Sequence, residues 1–142
     1  MKVALRSRRW PLAASLGALS IAAFVPFTQI WLYANFYLKK NAREQVIERV
    51  KSGEYGPNMA QNAGVIALPA DNNVSSGGNV IVVQGNRSNP YVFFFTFHGI
   101  LDNYSGFLWV PTGGKPQEFQ DADEIGTEVE HFGGNWYFIG HS

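Results

Sequence analysis

His98, Asp102 and Ser105 fall within eight residues and carry the three side-chain types of a hydrolytic triad. Acyl transfer by such a set needs the imidazole within hydrogen-bond reach of the hydroxyl and the carboxylate behind the imidazole. One turn brings the three near one another, but no G-x-S-x-G elbow precedes Ser105. Triads are normally assembled from separate elements around a cleft, so the plainer reading is a polar turn with Asp102-Asn103 at its tip. No catalytic residue is assigned on this basis, and a membrane-tethered hydrolase using His98 and Ser105 ranks third among the functional readings.

Metal chemistry has similarly thin support. His98, His131 and His141 are the only histidines, and no two are spaced as paired ligands on one element. With Glu128 or Glu130 they would form a facial site only if folding happened to gather them. Within Gln120 to Gly126, Asp121, Asp123 and Gly126 match the first, third and sixth positions of a calcium loop. Ile125 stands where an oxygen ligand is needed, and Phe132 where the bidentate glutamate belongs. The segment reads as a solvated acidic loop. The glycine pairs are not followed by lysine and a helix, as a phosphate cradle requires. The chain has no cysteine, which excludes disulfides, thiolate nucleophiles and cysteine-based zinc or iron–sulfur sites. The expectation is no metal and no cofactor. Asn-x-Ser triplets at Asn73, Asn86 and Asn103 fall in expected turns, where Asn and Ser are common anyway.

The elements that would position these residues are more legible than the chemistry. From Pro11 to Leu38 the chain has no Asp, Glu, Lys or Arg. Trp10 and Trp31, 21 residues apart, flank most of this run, and on a helix they are ~31 Å apart. That matches a hydrocarbon core about 30 Å thick with indole rings at its two interfaces. The expectation is a membrane helix over 11–38, preceded by a basic tail (1–10). Trp10, Trp31, Tyr33, Tyr37, Lys39 and Lys40 are its interface anchors. At 28 residues the run exceeds a signal-peptide core of roughly 7–15. Its distal end is bulky and aromatic, which favours an uncleaved anchor. Ala14, Ala18 and Ala22 repeat on one helical face and, with Gln29, offer a helix–helix contact. Pro26 is expected to kink the helix.

Residues 39–52 read as a juxtamembrane helix, with Val46, Ile47 and Val50 as a narrow apolar stripe and Ser52-Gly53 as its stop. A linker follows over 53–63. Residues 64–142 read as a small, mainly β domain, an antiparallel meander or partly closed barrel. Its expected strands are Val65–Leu68, Asn79–Gln84, Tyr91–His98, Gly106–Val110, Glu128–Phe132 and Asn135–Ile139. Gly133-Gly134 is the clearest hairpin. Tyr91 to His98 is apolar on both faces and needs cover on both. Curling of the sheet on itself is the default expectation; the membrane, the juxtamembrane helix or a partner are the other sources of cover.

Charge is divided sharply. Residues 1–51 carry nine Lys/Arg against Glu44 and Glu48, whereas residues 52–142 carry only Arg87 and Lys115 against nine acids. The acidic half repels phosphate backbones and argues against nucleic acid. The basic half brackets the bilayer, where anionic head groups attract it. The positive-inside rule barely discriminates between the two flanks, but the scarcity of Lys and Arg beyond residue 51 favours an extracytoplasmic β domain. The leading functional reading is a membrane-anchored, non-enzymatic binding or assembly module with a protein partner. The alternative is an accessory subunit of a membrane complex, forming a homo- or hetero-oligomer through its membrane helix.

Overall fold

A computed structural model describes residues 27–55, 64–99, 103–119 and 127–141. The chain divides into two compact units, Met1–Tyr37 and Leu38–Ser142. Helix α1 spans Phe27–Ser52. No proline or glycine interrupts it, and its end is set by the backbone. Gly53 adopts φ +83°; its N–H donates to the Val50 carbonyl at 3.0 Å, and the Glu54 N–H donates to the Arg49 carbonyl at 3.0 Å. This pair of bonds is a Schellman motif, in which a left-handed residue satisfies the last carbonyls of the helix.

The second unit contains a six-stranded antiparallel sheet. Its strands are β1 (Gly64–Ala67), β2 (Val80–Asn86), β3 (Asn89–His98), β4 (Tyr104–Trp109), β5 (Thr127–Gly133) and β6 (Trp136–His141). All six expected strands are present, with ends displaced by a few residues. The order is β1-β2-β3-β4-β6-β5, so the sheet is open and has two edges. It is neither the simple meander nor the barrel expected from the short loops. The meander holds through β4; β6 then pairs with β4, and β5 lies outside it.

Two covers remove the need for closure. On one face, Arg43, Val46, Ile47 and Val50 of α1 form a buried stripe at helical spacing. They belong to the face of Val92, Phe94, Phe107 and Trp136, which are buried to 2% exposure or less. The Arg43 guanidinium lies 4.7 Å from the Phe107 ring centroid and 5.9 Å from that of Phe94. On the other face, Phe93, Leu108 and Ile139 form a core with Val110 and Phe119. Val110 and Phe119 bracket the chain that leaves β4, and this strap includes a 3₁₀ turn over Pro116–Glu118. Phe119 stacks on Phe93 with ring centroids 5.6 Å apart. A two-faced aromatic strand is thus sandwiched between a helix and a strap.

The last hairpin turns one residue later than expected. Gly133 pairs with Trp136, leaving Gly134 and Asn135 as the central residues. Gly134 has φ +57° while Asn135 is not in the positive-φ region, as a type II′ turn requires. Among the described residues no helix is long and apolar enough to cross a membrane. Residues 11–26 of the expected span lie outside the described residues; its remainder, 27–38, forms the start of α1.

Candidate functional site

The exposed surface of α1 changes character along its length. Phe27, Ile30, Trp31, Tyr33, Tyr37 and Leu38 all present large apolar or aromatic side chains, Tyr37 being 63% exposed and Leu38 84%. Beyond Leu38 the exposed positions of α1 are Asn41, Ala42, Gln45, Glu48, Arg49 and Ser52, with no large apolar group among them. Lys39 and Lys40 stand at the change and are half-buried. Lys40 pairs with Glu44 at 3.8 Å. The Lys39 ammonium is held below its ordinary pKa, first by burial and then by the neighbouring Arg43 charge. Of the expected interface anchors, Trp31, Tyr33 and Tyr37 are exposed on this helix and Trp10 lies outside the described residues. Gln29 is exposed on the same stretch; Ala14, Ala18 and Ala22 lie outside the described residues.

The sequence assigns no catalytic residue among His98, Asp102 and Ser105, and the described residues place two of these positions on neighbouring strands. Ser105 pairs with Phe97 across a register shift in β3, and His98 pairs with Tyr104. The two are therefore not cross-strand partners. The Ser105 hydroxyl lies 3.0 Å from the Thr96 hydroxyl, so a local polar contact at the bulge engages it. Asp102 lies outside the described residues, as do Gln120 to Gly126. His131 is exposed at the far end of the sheet, where its Nε2 is 3.0 Å from the Gly134 carbonyl oxygen. Among the described residues no group of three metal-ligating side chains converges.

Arg43 was not legible as a site residue. The residue is 1% exposed, and its Nε donates to the Val74 carbonyl at 3.2 Å. Burial lowers its pKa to about 10. The two aromatic faces beneath it stabilise the cation where water is excluded. The signal was present as the spacing 36, 43, 47, 50, but a charge on an apolar stripe reads more readily as solvent-facing. Nor was the strap's fastening visible. The Tyr91 hydroxyl donates to Glu118 at 2.5 Å, and the Lys115 N–H donates to the same carboxylate at 3.2 Å. The Tyr91 bond foremost, then the Lys115 bond, holds the Glu118 carboxyl below its usual range. Burial, then Glu118, pushes the Tyr91 phenol up.

The two sheet edges differ. β5 carries the exposed Glu128 and His131, with Glu130 half-buried, and a register shift between His131 and Gly133. Charge and a bulge both discourage pairing with another strand. β1 is short and uncharged, and Val65 on it is 70% exposed. A depression of 260 Å³ between the Pro111–Gly114 turn and the final hairpin has Tyr137 as its only ionisable lining residue. No family model matches the chain, and neither a curated protein nor a solved structure matches it.

Proposed function

We propose that this protein is a membrane-anchored, non-enzymatic binding and assembly module, held in the bilayer by residues 11–38 and carrying its acidic β domain on the extracytoplasmic side. The observation that carries the reading is the change of exposed surface on α1 at Leu38/Lys39. Six large apolar or aromatic residues are exposed before that point, whereas the exposed positions beyond it are polar or small. In water such a patch is costly, and it marks a membrane or protein contact. Trp and Tyr at its end, followed at once by two lysines, match an interface belt. The division of the chain into units at Tyr37/Leu38 falls at the same place. Partner contact is assigned to the uncharged β1 edge and Val65, because the aromatic strands are internally covered and β5 is charged.

A second reading, an accessory subunit working through its membrane helix, is favoured by Gln29. A carboxamide exposed among Phe27, Ile30 and Trp31 gains from a hydrogen-bond partner when placed in lipid. A reporter fused after Ser142, read with protease access in intact cells, tests the first reading. An extracytoplasmic reporter in an alkali-resistant membrane fraction is the expected result. A cytoplasmic reporter overturns the orientation, and release of the chain by alkali overturns the anchor. Exchange of residues 11–38 for an unrelated membrane helix separates the readings, since partner recovery survives it only under the first.

A further inference from the structure

The register of β1 decides what its open side offers. Gly64 to Ala67 lie opposite Val83 to Val80 of β2. In the same register the Leu68 N–H donates to the Asn79 carbonyl at 3.0 Å. Hydrogen-bonded and non-hydrogen-bonded pairs alternate along an antiparallel ladder, so Ile66 and Gly64, like Leu68, turn their N–H and C=O groups toward β2. Val65 and Ala67 turn theirs away from it, to the edge. Both residues are exposed, Val65 at 70%. No charge, proline or register shift guards this strand, whereas β5 carries both charge and a shift.

Charge and symmetry identify the occupant. Residues 52–142 carry nine acids against Arg87 and Lys115, yet no charged residue falls between Tyr55 and Ala70. Like charges set opposite one another destabilise a strand pair, and β1 against β1 brings none together. Resting on the reading of this edge as the contact surface of a membrane-anchored module, we propose that β1 pairs antiparallel with β1 of a second copy of this chain, across a two-fold axis at Ile66. In that register Val65 of each copy lies opposite Ala67 of the other, and every outward N–H and C=O of the two residues is bonded. Ile66 meets its own counterpart in a non-hydrogen-bonded pair, whose Cα atoms are about 4.5 Å apart. An isologous contact of this kind closes after two copies and leaves the guarded β5 strands at the two ends of the joined sheet. The seam is short, and confinement of both chains to one bilayer supplies the local concentration it needs.

The chain has no cysteine, so one introduced thiol reports the pairing. Ile66→Cys in the full chain, oxidised in isolated membranes, is expected to give a disulfide-linked species of twice the chain mass, because the paired Cα atoms fall within disulfide reach. Val65→Cys/Ala67→Cys, at exposed positions, serves if Ile66→Cys misfolds. Val129→Cys on β5 is expected to give no dimer. Ala67→Pro removes an outward N–H and no bond to β2, a placement that an edge strand tolerates. Added to Ile66→Cys, it takes away a hydrogen bond on each side of the axis and is expected to weaken pairing about tenfold or more with the melting temperature retained. Val65→Lys, a charge at the seam, serves if the proline variant misfolds. An alkali-resistant chain that gives no dimer overturns the pairing alone. So does an equal yield from Val129→Cys, a linked species of any other mass, or a yield unchanged by Ala67→Pro and Val65→Lys. Release of the chain by alkali overturns the anchor, and with it the bilayer confinement proposed here.

Discussion

Tyr91 and Glu118 show how one contact can decide whether a face of the sheet is covered. The phenol holds the carboxylate at the end of the 3₁₀ turn, and Phe119, the next residue, stacks on Phe93. Because the Glu118 carboxyl is held below its ordinary value, near 4.5, its contribution is present above that value. It disappears as pH falls through the lower native pKa. The Tyr91 phenol runs the opposite way. Its native pKa is raised above 10.0, so its contribution is full below 10 and is lost as pH rises through the native value. Tyr91→Phe is therefore expected to lower the melting temperature by on the order of a few degrees at neutral pH. The difference from the natural sequence should vanish in acid below the carboxylate range. Melting curves of both proteins from pH 3 to pH 8, on the order of ten conditions, check this; a constant difference across that range would show that ring packing, not the hydrogen bond, holds the strap.

At the scale of elements, the end of α1 and the tip of the β2–β3 hairpin meet at Gly53. Arg87, in the hairpin turn, donates to the Ser52 carbonyl at 3.4 Å, a cation placed at a helix C-terminus. Its guanidinium occupies the space a Cβ on Gly53 would need. Gly53→Ala is expected to destabilise the fold by about 1–2 kcal/mol, the cost of a left-handed L-residue, and to displace Arg87. Denaturant unfolding checks the first effect, and loss of additivity with Arg87→Ala checks the second. The strands and this helix stop were legible because their signals are local: short apolar runs, glycine breaks and a glycine after the last helical residue. The order β4-β6-β5 was not, because it depends on a long connection whose own side chains cover Phe93. Arg43 escaped for a related reason, since only tertiary packing reveals that its position on the stripe faces two aromatic rings.

For the molecule as a whole, the second half of α1 is part of the β domain's packing. Arg43, Val46, Ile47 and Val50 are buried to 2% exposure or less, and they belong to the same compact unit as the sheet. The sequence places 39–52 outside the β domain, but the packing makes it one of that domain's two covers. A fragment beginning at Leu38 keeps both covers and is expected to fold as a monomer with the melting temperature of a small domain. A fragment beginning at Gly64 keeps every strand yet uncovers Ile81, Val92, Phe94, Phe107 and Trp136, each 2% exposed or less in the intact fold. A contiguous apolar surface of that kind on a monomer leads to association, so the shorter fragment is expected to aggregate or to bind a hydrophobic dye. Expression of both, compared by size-exclusion chromatography and thermal unfolding, decides the point. If the fragment from Gly64 were a stable monomer with an unchanged melting temperature, the helix would be a tether alone. The sheet would then need another source of cover for its aromatic face.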